Sequence, residues 1–276
     1  MENCNENGYS IQSAKTYWNH PFDSGGDSVK TKIKNKYQIK SGQIATTANL
    51  PEHRLFNKKN SEIYLKFLPF LEKVSFQGND SIYQPGDSID YLYFPESSIF
   101  SEFQILEDGA TVEIAMTGSE GIVGLSSIFD NNQATNWTQV SAAGNALKIK
   151  SKILREEASF NPNLQQFLYS CIGSYIKQIS QRSVCNNCHT LEKRLCCWLL
   201  MMQDRLKNPK LPLTQEKMAR ILGANRPSIT YIAQNLREFG IIDYRRGILI
   251  IKNRTELENR SCGCFAEIDR KLENIF

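Results

Sequence analysis

Residues 211–251 read LPLTQEKMARILGANRPSITYIAQNLREFGIIDYRRGILII, an order of apolar positions and breakers that few arrangements satisfy. Thr214 can cap a helix whose buried face is Met218, Ile221 and Leu222. Gly223 ends that helix, because a residue without Cβ takes positive φ at little steric cost. A second helix opens at Asn225 or Arg226, with Pro227 in its first turn, where a missing amide hydrogen costs nothing. Ile229, Ile232, Ala233 and Leu236 fall on one side of it and Arg226, Ser228, Thr230, Tyr231 and Gln234 on the other. Gly240 closes the helix, residues 241–244 read as a strand, Arg245-Arg246-Gly247 as a turn and residues 248–251 as the returning strand. Two helices around a glycine turn, followed by a basic hairpin, form a winged helix-turn-helix, which sets its second helix in the major groove of double-stranded DNA. Helix pairs alone occur in many proteins that never meet DNA, but they do not supply the basic hairpin tip. A helix so placed would turn Arg226, Ser228, Thr230 and Tyr231 toward the base edges, with Thr214, Gln215, Arg245 and Arg246 as candidates for phosphate contacts.

Charge divides the chain in the same sense. Residues 204–260 carry twelve Lys/Arg against six Asp/Glu, and residues 46–150 seven against thirteen, so a net charge of +4 hides two regions of opposite sign. Only the C-terminal region suits a polyanion. A chain of 276 residues holds two cores. It shows no apolar run of membrane-spanning length and no signal-peptide pattern, so no membrane partner and a cytoplasmic location are expected. Residues 1–45, rich in Asn, Ser, Lys and Gly, read as a flexible arm.

From Val74 the pattern is one of short strands between turn residues. Ile99, Ser101, Phe103 and Ile105 alternate with outward partners, and Val112, Ile114 and Met116 do so after the Asp108-Gly109 turn. Such a succession over residues 46–160 suggests a jelly-roll β-barrel, giving an α+β chain overall. After Pro162, Leu164, Phe167, Leu168, Cys171, Ile172, Tyr175, Ile176 and Ile179 form an apolar helical stripe. Residues 161–203 are therefore read as a dimerisation helix and hinge, with a second copy of the chain covering the stripe. A further helix runs from about Thr190 with Leu191, Leu195, Trp198, Leu199 and Met202 inside. Residues 204–260 form the winged domain and residues 261–276 a tail.

A β-roll, a long helix and a winged helix-turn-helix in this order resemble the Crp/Fnr family of bacterial transcription regulators. The likeness rests on Gln84-Pro85-Gly86-Asp87, on Gly118-Ser119-Glu120-Gly121-Ile122-Val123-Gly124-Leu125 at the place of the family's phosphate-binding cassette, and on Thr214 to Gly247. It implies a homodimer on a pseudo-palindromic site, with RNA polymerase as a further partner and the roll as sensor of an effector that the residues do not identify. Cyclic-AMP-binding members carry a cassette glutamate for the ribose and, about ten residues on, an arginine for the cyclic phosphate. Here the glutamate's place falls on Ile122, and no Arg occurs from Gly121 to Lys150. An apolar side chain cannot accept the ribose hydrogen bonds, and a buried phosphate without a cation is disfavoured. No response to cyclic AMP in the usual manner is expected. At the reading helix, Arg226 matches the family's guanine reader, but Pro227 stands where glutamate often accepts from cytosine.

Cys185-Asn186-Asn187-Cys188-His189 matches the c-type haem attachment pattern, and a regulator sensing redox or metal through Cys185, Cys188 and His189 is the second alternative. Covalent haem attachment normally requires export. Cys185, Cys188, His189, Cys262 and Cys264 supply enough thiolate and imidazole for zinc or an iron-sulfur cluster, but the two groups lie far apart in sequence on different expected elements, and only Cys4 lies near the N-terminus, where the family's oxygen sensor gathers its cluster cysteines. The cysteines on helix faces, such as Cys171, Cys196 and Cys197, read as small buried hydrophobes. No metal, cofactor or catalytic residue is assigned. A metal-dependent β-roll enzyme is set aside because His20, His53 and His189 all lie outside residues 74–150.

Overall fold

The computed structural model describes residues 53–57, 60–129 and 132–273, with side chains to Ile268. The expected arm, residues 1–45, lies outside the described residues. After helix α1 (Ser61–Phe67), seven strands follow: β1 (Glu72–Phe76), β2 (Ser81–Tyr83), β3 (Tyr91–Pro95), β4 (Ile99–Ile105), β5 (Thr111–Thr117), β6 (Trp137–Ala142) and β7 (Gly144–Lys150). They form two antiparallel sheets, β1-β7-β3 and β2-β6-β4-β5. The jelly-roll expectation is thus met as two facing sheets and not as a closed barrel. Phe100, Val140, Ala146 and Val123 fill the space between them. The turn before β5 is made by Gly109 at φ +82°, with the Asp108 carboxylate accepting from Ala110 N–H at 2.9 Å.

The alternation expected along β5 is displaced. Glu113, Ala115 and Met116 are buried, whereas Val112 and Ile114 are half-buried. The register shifts between Glu102 and Phe103 on the neighbouring strand, and both faces of β5 are covered, so a two-residue period does not separate inside from outside.

Helix α2 (Ser151–Ala158) leads into α3 (Pro162–Cys188), capped by Asn161, whose side chain accepts from Leu164 N–H at 3.1 Å. Leu164, Phe167, Leu168 and Cys171 pack into the core shared with α1 and the roll. Most of the stripe read as a partner-facing seam is thus covered by the chain's own roll. The exposed line on α3 keeps Ile176 from that stripe and adds Tyr169 and Val184, each of the three at least half exposed. Farther along, the inward face turns polar: Ser174, Gln178 and Arg182 are buried with Cys185.

Helix α4 (Leu191–Leu206) starts after the Thr190 cap and is buried from Leu195 to Met202. Its core is continuous with that of the following elements, β8 (Lys210–Pro212), α5 (Gln215–Leu222), α6 (Arg226–Glu238), β9 (Ile242–Arg245), β10 (Ile248–Ile251) and α7 (Arg254–Arg260). The break between α3 and α4 falls at residues 189–190, and α4 packs with the elements that follow it. Within the expected tail, residues 261–276, the described part holds a helix: α8 (Cys264–Glu273) packs on α3 and α4, burying Cys262, Cys264 and Ile268. No helix among the described residues is long and apolar enough to cross a membrane.

Candidate nucleic-acid interface

Each turn of the winged domain is built by a local device. Thr214 Oγ1 accepts from Lys217 N–H at 3.0 Å and starts α5. Gly223 at φ +58° ends it, and a Cβ there would sit 2.8 Å from Val112 on β5, so the position requires glycine for both backbone and space. Asn225 Oδ1 then accepts from Ser228 N–H at 2.9 Å and opens α6 at Arg226, with Pro227 in the first turn. Ile229, Ile232, Ala233 and Leu236 are buried as their spacing requires. The wing is a three-stranded sheet in the order β8-β10-β9, whose first strand was not evident from the sequence. Arg245 pairs with Ile248 across the hairpin, leaving Arg246 and Gly247 as a two-residue turn at φ +47° and +79°. Two central residues with positive φ match the twist of the flanking strands.

The sequence-assigned residues divide into available and engaged groups. Arg226 is exposed, and neither it nor Arg246 has an intrachain ion pair among the described residues. Tyr231 is 70% exposed. Ser228 is half-buried near the start of the helix. Thr230 is engaged: its hydroxyl lies 2.7 Å from Gln215 Oε1 and 3.0 Å from the Arg226 carbonyl, so it clips α6 to α5. Gln215 thereby keeps only its amide NH2 for a phosphate. Arg245 lies in strand β9 and not at the tip, and its Nε donates to Asp243 at 2.9 Å. Thr214, Gln215, Arg226 and Gly247 line one cleft of about 820 Å³ whose other wall, including Asn79 and Gln139, belongs to the roll.

Other cations of the basic region are used internally. Lys217 Nζ donates to the Ser141 carbonyl of the roll at 2.9 Å. Burial lowers its pKa to about 8 against the opposing pull of Glu113. Arg254 is held by Asp204 and Glu258, and Arg260 by Glu192 at 3.0 Å.

A second group of polar contacts, which the sequence did not reveal, joins the roll to the helices. Glu113 of β5, 1% exposed at its side chain, meets Arg182 of α3 at 3.3 Å and accepts from Trp198 Nε1 of α4 at 2.7 Å. Burial pushes the Glu113 carboxyl up despite the Arg182 charge. Gln178 bonds both the N–H and the carbonyl of Met116, at 3.3 and 3.0 Å, as a neighbouring strand would. In the cassette, Glu120 accepts from Gly118 N–H and from Arg205 Nε at 2.7 Å. Burial opposes its charge most strongly, but Arg205 and the backbone N–H groups of Gly118 and Glu120 together hold this carboxyl below its ordinary value. The cassette's only carboxylate is thus turned onto α4. The signal for this network was Gln178 and Arg182 on the continuation of the apolar stripe.

Between the roll and α3 lies a cavity of about 330 Å³, lined by Tyr83, Ile89, Ile122, Ile172, Tyr175 and Glu102 among others, with no basic side chain among the described lining residues. Tyr175 donates to Glu102 at 2.6 Å, and burial raises the Glu102 pKa against the hydrogen bonds from Tyr175 and Asn136. His53, buried beside the cassette, bonds the Gly121 carbonyl through Nε2 at 3.0 Å.

The cysteine motif is reorganised by the fold. Cys185 and His189 face Cys262 and Cys264, whereas Cys188 is exposed and outside that group. The expectation that the two cysteine pairs stay apart on separate elements is corrected by the packing of α8 on α3.

Residues 193–260 match the family model described as Crp-like helix-turn-helix domain, and residues 73–159 that of the cyclic nucleotide-binding domain. The global nitrogen regulator of Nostoc sp. is 22% identical over 189 residues, covering 65% of this chain and 84% of the relative. Among solved structures, FixK2 from Bradyrhizobium japonicum superposes with a TM-score of 0.60 at 16% identity, covering 70% of this chain and 98% of its own. A Crp/Fnr-family transcriptional regulator from Thermus thermophilus, TTHA1359, gives 0.58 at 17% identity, covering 69% and 98%.

Proposed function

Given that the chain belongs to the Crp/Fnr family of transcription regulators, we propose that it binds DNA as a homodimer reading a pseudo-palindromic site, without answering to cyclic AMP in the usual manner. The observation that carries this reading is the exposed Arg226 at the start of α6, unpaired within the described chain and followed by an equally unpaired Arg246 at the wing tip. A guanidinium at the N-terminal end of a reading helix can fork onto guanine, and one at a wing tip can hold a phosphate. RNA polymerase as a partner rests on the family alone.

The exposed line of α3 supports the homodimer. Tyr169, Gly173, Ile176, Ser180 and Val184 recur at spacings of three and four, and nothing lies within 4 Å of a Cβ placed on Gly173. A small residue there permits close approach of a second helix. Two-fold pairing along this line sets two reading helices on one duplex. Selection of bound duplexes from a random pool should return inverted half-sites about one helical turn apart, each containing a guanine lost with Arg226→Ala. Single, unpaired half-sites would refute the dimer reading.

For the roll, the cavity at the cassette offers Glu102 and apolar walls where a cyclic nucleotide needs a cation. Calorimetric titration with cyclic AMP should show no site of micromolar or tighter affinity. Saturable heat at that level, abolished by filling the cavity with Ile122→Trp, would reject this reading.

A further inference from the structure

Four side chains able to ligate a metal meet where α3 ends. Cys185 lies in the last turn of α3, His189 just beyond it, and Cys262 and Cys264 at the entry to α8. Each offers one donor atom, and all four atoms lie within 4.8 Å of one another. Cys185 Sγ is 3.5 Å from Cys262 Sγ, and Cys264 Sγ is 3.5 Å from His189 Nδ1. The three cysteines are buried and His189 is half-buried.

Zinc held tetrahedrally by bonds of about 2.3 Å to sulfur and about 2.0 Å to nitrogen sets neighbouring donors roughly 3.5 to 3.8 Å apart. The two 3.5 Å contacts match that spacing, and the other donor pairs, all within 4.8 Å, need to close by at most about an ångström around one small ion. A four-iron cluster, with its thiolates on separate irons, needs the sulfurs spread wider. A disulfide between Cys185 and Cys262 would use two of the four and leave the imidazole's aim at Cys264 without a purpose. Gln181 Nε2 donates to Cys264 Sγ at 3.1 Å, the outer hydrogen bond that steadies a metal-bound thiolate.

We propose that Cys185, His189, Cys262 and Cys264 form a Cys3His zinc site that fixes the junction between α3 and the winged domain. The chain passes from α3 to α4 through residues 189–190 alone, and the ion adds a second tether from α3 to the segment beyond α7. Relative rotation at the hinge is thereby restrained, and losing the ion changes how the winged domain is presented. This regulatory consequence rests on the DNA-binding reading; the site itself does not.

The test is elemental analysis and cobalt(II) substitution of the full chain purified under reducing conditions. The expected result is about one zinc per chain, replaced by cobalt with the absorption bands of a tetrahedral thiolate site. Cys262→Ser and His189→Ala should each weaken metal binding at least about tenfold, and Cys188→Ser should leave it unchanged. Zinc below about a tenth of an equivalent together with no cobalt bands in the unaltered chain overturns the site, whether or not the variants fold. Full cobalt bands in Cys262→Ser, or their loss in Cys188→Ser, overturn the ligand set. Chelation should change affinity for a selected duplex by about threefold or more. Unchanged affinity overturns the junction role and leaves the site standing, whereas no duplex binding with or without zinc overturns the DNA reading instead.

Discussion

Arg182→Ala should lower the free energy of unfolding by about 3 to 5 kcal/mol, because it strands a carboxylate inside the protein. Arg182 and Glu113 are 3% and 1% exposed at their side chains, and the Trp198 N–H would be the main remaining partner of that carboxylate. The pair is imperfectly satisfied even when intact: Glu113 Oε2 and the Nε and Nη1 atoms of Arg182 have no hydrogen-bond partner. Replacing both members, as Arg182→Met with Glu113→Gln, should therefore recover most of the loss, since the neutral amide still accepts from Trp198 and no charge stays buried. The pH dependence follows from the direction of the Glu113 shift. Burial raises this carboxyl above its unfolded value, and removing Arg182 raises it further. A raised folded pKa contributes stability below the unfolded pKa, about 4.3, and that contribution is lost as pH rises through the folded value. Arg182→Ala should accordingly look mildest in acid and worst near neutrality. Urea denaturation followed by tryptophan fluorescence measures both effects. A loss below about 1 kcal/mol at pH 7 would mean that the pair does not bind the roll to α3.

What could be read from the sequence was whatever depends on neighbours in the chain. Thr214, Gly223, Asn225, Pro227 and Gly247 each do a job defined within four residues, so the winged segment follows from their order. The apolar stripe of α3 was equally visible, but a stripe does not state what covers it. The roll took Leu164 to Cys171, whereas Ile176 of the same stripe stays exposed together with Tyr169. Glu113 was out of reach because the bulge at Glu102 and Phe103 shifts the alternation. The metal-ligating group is the extreme case, with Cys185 and Cys262 separated by 77 residues. The spacing of Cys185 and His189 and the Cys262-Gly263-Cys264 pair were each visible, and only the docking of α8 on α3 brings them together. Cys188 was misleading for a local reason: it is the last residue of the helix and points to solvent, while extended backbone at His189 turns the imidazole inward.

Arg226→Ala should cost about 1 to 3 kcal/mol per half-site, and so about 2 to 6 kcal/mol for a dimer on two half-sites. In affinity this is a loss of roughly 30-fold to more than ten-thousand-fold. Such a cost presupposes a guanidinium that does not first have to leave an intrachain partner, as the exposed Arg226 does not. The loss should be confined to duplexes carrying the selected guanine, because removing a base reader leaves phosphate contacts in place. Arg246→Ala is the contrast: its loss should be similar across all sequences, with a salt dependence shallower by about one for each wing that touches DNA. Thr230→Ala should act in yet another way, through the clip to Gln215, weakening the orientation of α6 more than the preference at any one base. Pro227 sharpens the expectation, since it has no side-chain acceptor for cytosine and the base pair beside the guanine should be weakly discriminated. Anisotropy titrations at fixed salt, on the selected duplex and on single-base variants, resolve these patterns. If Arg226→Ala left affinity and base preference unchanged, α6 would not be the reading helix, and the exposed Tyr231 would lose its assignment with it.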